Sequence, residues 1–552
     1  MSAVNAFSPE LIARICQECT DDVYTRCTLL SLAKTCRAFS PVALKFLWSE
    51  LTYEPNPLFL VLPEGSVLRR ERDAKDNMPP SYVLYPARAS FSTSELERFC
   101  FYAEFVQSLT VPVLPTVGGS IAIVCPDIWR QLKPPHGPIF PNLRTLSFRL
   151  NWSQQAQDPV PLRYFFGPNL EILRVEFGFG EPEGQLEDLE SDTTHAATSL
   201  IELLVNLPHQ SPLLRQLYLN KTGPAIYAQG PLTQALQGLS SLTTFEAIES
   251  TPLSPDGVLV LSSLPSLVSA AFAAQAADYL LLHDNADERI DSTNFPALRK
   301  LQLVVDTAEC GMSLLSWPVI DPPGLNELEV KVDVETNITP FQLASITATL
   351  PAKRCRTTLD TVILCGCNNV DFDSPPPVAY PPSAIVPLYA LPALRQLHLR
   401  GNCYAALDDA TLADMAYAWP HIEHLHLCQE GAGPAARVTL AGLRDFAAGL
   451  PHIQELYVAL GDIKRAVCEE ILERRPPSPA LRDGVNGTPQ VQSNLWALSL
   501  GEPSIQSEDV FAVAAVLAMT FPSLRGLKRE KLSAALKMYG CRNVNMLLAG
   551  LV

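Results

Sequence analysis

One register dominates this chain: Leu-x-x-Leu-x-Leu, returning along 552 residues. It reads "LRTLSF" from Leu143, "LEILRV" from Leu170, "LRQLYL" from Leu214, "LRKLQL" from Leu298 and "LNELEV" from Leu325. It continues as "LDTVIL" from Leu359, "LRQLHL" from Leu394, "IEHLHL" from Ile422, "IQELYV" from Ile453 and "LWALSL" from Leu495, with weaker copies at Leu242, Leu267 and Leu524. In an extended strand successive side chains point to opposite faces. Leu397 and Leu399 therefore go inward, Gln396, His398 and Arg400 go outward, and Leu394 sits at the bend into the strand. A short strand with one apolar edge cannot bury that edge alone. Stacked copies build one continuous core.

The spacing names the architecture. From 298 to 325 is 27 residues, from 394 to 422 is 28, from 422 to 453 is 31 and from 495 to 524 is 29. These are leucine-rich-repeat lengths, at or slightly above the upper end of the usual range. Three copies run on to the Asn or Cys that follows the last inward residue in such repeats: Asn151, Cys367 and Asn402. Between strands, "LDDATLADMAYAWP", "TLAGLRDFAAGLP" and "SEDVFAVAAVLAMTFP" carry capping residues, apolar positions at helical spacing and a proline stop. The expected fold is α/β: an N-terminal three-helix module, then a solenoid with a parallel sheet on its concave face and helices on its convex face.

The same reading sets boundaries. Residues 6–50 form the helical module, and 51–90, proline-rich and charged without steady periodicity, read as a linker. Residues 91–530 form the solenoid, opened by a capping helix in "SELERFCFYAEFVQSLTV" (Ser94 to Val111), and 531–552 are a tail where the pattern fails. Three insertions read as surface loops: "EPEGQLEDLESD" (Glu181 to Asp192), the proline-rich "DSPPPVAYPPSAIVP" between Leu359 and Leu394, and "RRPPSPALRDGVNGTPQVQSN" after Ile453.

Composition narrows the function. A net charge of −17 disfavours phosphate-backbone binding, so no nucleic acid is expected as a partner. Val258 to Leu282 is the most apolar window, but Pro265, Gln275 and Asp278 interrupt it, and no membrane partner is expected. The N-terminus lacks a signal-peptide pattern. The 14 cysteines are scattered, and Cys16, Cys36 and Cys428 sit within apolar segments as small core residues. A cytoplasmic or nuclear location is the expectation.

The opening 50 residues supply the module. "FSPELIARICQECTDD" reads as a capped helix with Leu11, Ile12 and Ile15 on one face. "YTRCTLLSLAKTCRAF" gives a second with Leu29, Leu32, Ala33 and Cys36, and Pro41 starts a third, "PVALKFLW". This pattern resembles the F-box. Phe7, Pro9, Glu10, Leu11 and Ile15 match its start, Thr35, Cys36, Arg37, Ala38 and Phe39 the end of its second helix, and Leu47 and Trp48 its close. With the repeats behind it, the chain resembles the F-box/leucine-rich-repeat-like proteins abundant in mushroom-forming (basidiomycete) fungi. The resemblance implies a substrate-receptor subunit of an SCF-type cullin-RING ubiquitin ligase, docking on a SKP-type adaptor and, through it, cullin. It implies an adaptor surface of Phe7, Pro9, Leu11, Ile12, Ile15, Leu32, Cys36, Phe39, Leu44, Leu47 and Trp48. The competing expectation is a repeat scaffold whose helices merely cap the solenoid.

For the substrate, which is a protein on this reading, the aligned copies give an outward column: Ser147, Arg174, Tyr218, Gln302, Glu329, Ile363, His398, His426, Tyr457 and Ser499. Arg174, Tyr218, Gln302, Glu329, His398, His426 and Tyr457 are its candidate binding residues, since aromatic and imidazole groups favour recognition hot spots. "HIEHLHLC" raises zinc, because His424 and His426 share a face beside His398. No Cys-x2-Cys pairing lies near it, "CGC" at Cys365 to Cys367 adds nothing, and neither metal nor cofactor is expected. The chain has no G-x-S-x-G elbow, P-loop or H-E-x-x-H, so enzyme chemistry is not expected either.

Overall fold

Every strong Leu-x-x-Leu-x-Leu copy forms a parallel strand. The computed structural model describes residues 8–19, 25–51, 56–59, 61–72, 81–88, 90–111, 121–124, 126–132, 137–151, 162–178, 201, 203–220, 229–248, 252–279, 294–332, 338–366, 377–427, 436–461, 494–500, 513, 516–517, 521 and 526–527. It divides into two compact units, with the division falling between Leu267 and Ala274.

In the first unit, strands Glu50–Leu51, Ser108–Val111, Thr145–Asn151, Ile172–Gly178, Gln216–Asn220 and Thr244–Ala247 lie side by side in chain order, all parallel. In the second, the order is Lys300–Val305, Glu327–Val332, Thr361–Cys365, Gln396–Arg400, His424–His426, Glu455–Tyr457, Ala497–Ser499 and Gly526–Leu527, again all parallel. Period-2 alternation puts one leucine per strand at the same depth, so Leu397, Leu425 and Leu456 are register partners and fully buried. This is the leucine-rich-repeat solenoid that the periodicity predicts.

Two devices fix the pitch between copies. At most of the described bends two consecutive amides share one carbonyl of the copy before. Glu423 and His424 both donate to the Arg395 carbonyl at 2.7 and 3.0 Å, and Gln454 and Glu455 to the Glu423 carbonyl at 2.8 and 3.1 Å. An asparagine just ahead of the first leucine adds a side-chain tie. Asn142 Nδ2 donates to the Glu104 carbonyl at 2.8 Å, Asn169 to Pro141 at 3.0 Å and Asn494 to Pro451 at 2.6 Å.

Two of the helices predicted between strands are present, and most of the third segment lies outside the described residues. Asp408 caps Asp409–Ala418 by accepting from the Thr411 amide at 2.9 Å, and Thr439 caps Leu440–Gly449 through the Gly442 amide at 3.1 Å. Val513, Val516 and Leu517, from the third segment, are buried. The apolar window after Val258 falls into the helix Pro255–Ser263, the strand Ser269–Ala274 and the short helix Ala276–Tyr279. Among the described residues no helix is long and apolar enough to cross a membrane.

Three modular helices open the first unit: α1 (Pro9–Glu18), α2 (Thr25–Thr35) and α3 (Ser40–Ser49). Their own core is Ile12, Cys16, Leu29 and Ala43. Behind them, the helix Thr93–Ala103 carries a capping box between Ser92 and Glu95 and covers the first repeats. An aromatic core of Trp129, Phe140 and Phe165 fills the space there, with Trp129 edge-on to Phe165 at 5.0 Å.

Two expectations need correction. Residues 51–90, read from sequence as a linker, carry regular strands and core contacts. Glu50–Leu51 joins the solenoid sheet, and Val67–Arg72 pairs antiparallel with Ser81–Pro86, which pairs parallel with Ile121–Val124. Leu58, Phe59, Val61 and Leu62 are buried, so this segment's scattered apolar residues are core contacts without a regular period. The proline-rich insertion is likewise only partly a loop. Val378–Tyr380 pairs parallel with Cys403–Ala405, and 3-10 turns at Pro382–Ala384 and Val386–Ala390 bury Ala384, Ile385 and Leu388. Proline fits 3-10 geometry because its fixed φ suits a first turn and its missing donor is not needed there. The acidic insertion, most of the last insertion and the tail 531–552 lie outside the described residues.

Candidate functional site

Two surfaces emerge, one on the helical module and one on the outward face of the sheet. On the module, Ser8 Oγ accepts from the Leu11 amide at 3.3 Å, and Pro9 occupies the first turn, which fixes where α1 starts. That phase buries Ile12 and Cys16, four residues apart, and leaves Leu11 44% exposed with Ile15 half-buried. The face read from sequence as Leu11, Ile12 and Ile15 is thus two adjacent stripes, of which only Leu11–Ile15 looks outward. On α2, Leu29 goes inward and Leu30 is 42% exposed.

The remaining adaptor candidates divide in the same way. Leu32, Phe39 and Leu47 are half-buried against the module's own core, Cys36 and Leu44 are half-buried, Pro9 is exposed, and Phe7 lies outside the described residues. Ile12 is core rather than surface. Trp48 faces the solenoid cap: its ring lies 4.6 Å from that of Tyr102, on the helix Thr93–Ala103, and its buried Nε1 finds no hydrogen-bond partner. Phe101, on the same helix, is 50% exposed beside Tyr102 and Phe105.

On the sheet, the backbone register brings the outward column together. In the first unit Ser147 pairs with Arg174, Arg174 with Tyr218 and Tyr218 with Glu246. The Arg174 guanidinium lies over the Tyr218 ring, 4.8 Å from its centroid. In the second unit the column runs Gln302, Glu329, Ile363, His398, His426, Tyr457, Ser499. Two members of this surface escape the leucine pattern. Glu246 sits in the copy "LTTFEA", where Phe245 replaces the expected leucine. Glu455 is an outward residue two positions before Tyr457, and its same-face alternation in "IQELYV" is the signal that finds it.

Glu455 organises the densest part of this face. Its Oε2 lies 3.0 Å from His426 Nε2 and 3.9 Å from His424 Nδ1. His426 Nδ1 lies 3.0 Å from His398 Nδ1, and the Tyr457 ring lies 3.9 Å from the His426 ring on the other side. Packed so closely, His398 is only 7% exposed although it points outward. Burial, then the neighbouring His426, Arg400 and His424, push its pKa down to about 3 against an opposite pull from Glu455. Beside it, burial above all pushes the Cys365 thiol up to about 11, with its Sγ 3.9 Å from Glu329 Oε1. Among the described residues no group of three or more His, Cys, Asp or Glu could hold a metal ion. Cys428 lies outside them.

No family model and no curated protein matches the sequence. Among solved structures the chain is similar to one described as the crystal structure of the Rad7 and Elc1 complex in yeast, at 14% identity, covering 68% of this chain and 78% of that one, with a TM-score of 0.30. The chain's own geometry gives the class: a leucine-rich-repeat solenoid preceded by a three-helix module, with Arg174, Tyr218, His398, His426 and Tyr457 along its outward sheet face.

Proposed function

We propose that the chain is a non-enzymatic substrate receptor of an SCF-type ubiquitin ligase, acting in the cytoplasm or nucleus. Its F-box-like module docks on a SKP-type adaptor and its sheet face holds a protein substrate. The observation that carries this reading is the module's surface. Three helices with a four-residue core of their own still present Leu11 and Leu30 to solvent, on the stretch whose sequence resembles the F-box. A standard protein interface of roughly 800 Å² per partner would cover such residues.

The competing reading, a repeat scaffold without ligase recruitment, is favoured by the contact of Trp48 with Tyr102 and by the pairing of Glu50–Leu51 with Ser108–Val111, which tie the module to the solenoid. Co-expression with a SKP-type adaptor and cullin, followed by purification on the chain's tag, separates the two. The receptor reading expects wild type to retain the adaptor, a double Leu11→Asp, Leu30→Asp variant to lose it, and circular dichroism of both to agree. Failure of wild type to retain the adaptor favours the scaffold.

A further inference from the structure

The array Glu455–His426–His398 has a defined proton inventory. A carboxylate only accepts, so His426 Nε2–H donates its hydrogen bond to Glu455. If both imidazoles are neutral, His426 Nδ1 is then a bare lone pair. The 3.0 Å contact between the two Nδ1 atoms needs one proton, which must belong to His398. His398 Nε2 is left bare, and it has no partner among the described residues. Add one proton to the array and the roles invert. His426 becomes an imidazolium held between Glu455 and His398, its Nδ1 donates, and His398 shifts its own proton to Nε2 while staying neutral.

We propose that this array is a proton-switched recognition point for a protein segment lying across the strands. In the neutral array, His398 Nε2 accepts a hydrogen bond from a peptide N–H, side-chain amide or hydroxyl of that segment; with one proton added, the same atom is a donor and the segment is released. The proposal rests on the reading of the sheet face as the substrate side. Several neighbours shape it. Arg400, two residues on along the same strand, and Cys365, its register partner on the adjoining strand, flank His398; His424 shares the strand of His426, and Glu455 and Tyr457 face His426 from the next strand. The nearby cation of Arg400 argues for a neutral donor in the segment rather than an ammonium or guanidinium group. The strong resistance of His398 to protonation places the added charge on His426, beside the carboxylate.

Two measurements on the full chain test this. Nitrogen-15 histidine NMR, with signals assigned through His398→Gln and His426→Gln, follows both rings from pH 8 to pH 5. The expected result is a proton on His398 Nδ1 at pH 8 that moves to Nε2 as the array takes up one proton. In Glu455→Gln that change falls at lower pH. A proton on His398 Nε2 already at pH 8, or a His398 tautomer that ignores the charging of His426, overturns the switch.

The second probe is an array of random 12-residue peptides at pH 7.5. Peptides bound by wild type are expected to bind about tenfold more weakly to His398→Phe and to His398→Gln, the ratio that follows from about 1.4 kcal/mol for one lost hydrogen bond. Undiminished binding by both variants, or no peptide bound by wild type, overturns the recognition role. Loss of adaptor binding, by contrast, would defeat the ligase reading and leave both of these readouts intact.

Discussion

Leu425→Ala is the sharpest perturbation of the solenoid core. Leu425 is fully buried, its register partners Leu397 and Leu456 are fully buried, and Ile422 and Leu427 close the site along the chain. Removing three carbons forfeits about 2.4 kcal/mol of transfer free energy at ~0.8 per methylene. Because both neighbouring strands are pinned by shared-carbonyl bends, the site collapses little, and a cavity cost brings the total to roughly 3–5 kcal/mol. In a solenoid each copy touches only its neighbours, so the loss is local. Hydrogen exchange read by mass spectrometry should therefore show amides from Gln396–Arg400 to Glu455–Tyr457 opening roughly 100-fold more often, a factor equivalent to about 3 kcal/mol. Strands Ser108–Val111 to Gln216–Asn220 should be unchanged. Leu425→Met should cost less than about 1.5 kcal/mol. Uniform acceleration along the chain, or none near Leu425, would refute the stacked-core argument.

Other consequences are open to direct measurement. Ser92→Ala removes the capping box of the helix Thr93–Ala103 and should lower stability by about 1 kcal/mol in urea titration of the first unit. The buried thiols of Cys310, Cys355 and Cys403, held at about 12, 11 and 12 by desolvation first, should resist iodoacetamide at pH 8 until denaturant is added, whereas exposed Cys27 should react in the native chain. His398, with its folded pKa at about 3 and its ordinary value at 6.5, binds a proton more readily unfolded than folded. Its contribution to stability is complete above pH 6.5 and drains away as the pH falls towards 3. The urea midpoint should thus fall less steeply between pH 7 and pH 4 in His398→Phe than in wild type.

Strand identity and register were legible because a period of two is set by the backbone and needs no knowledge of neighbours. Aligning Leu397, Leu425 and Leu456 suffices to place His398, His426 and Tyr457 side by side. What neighbours decide was not legible. Whether α1 buries Leu11 or Ile12 is a matter of one residue's phase, fixed by how α2 and α3 pack against it. The burial of outward-pointing His398 follows from the His426 ring, 4.1 Å away on one adjoining strand, and from its register partner Ile363 on the other. Trp48, near the end of α3, reads from sequence as an outward residue, yet the cap helix presents Tyr102 to it and draws it inward. Proline-rich sequence suggests solvated loop, but Ile385 and Leu388, three apart, suit the threefold period of a 3-10 turn and are buried.

The central claim, that the helical module is a docking surface, is tested most directly by calorimetric titration of purified SKP-type adaptor into the intact chain. The account predicts saturable one-to-one binding by wild type and by Phe341→Asp, a control on the exposed surface of the helix Pro340–Thr349, with binding abolished in Leu11→Asp, Leu30→Asp. Absence of heat with wild type, or equal binding by the double variant, would contradict it.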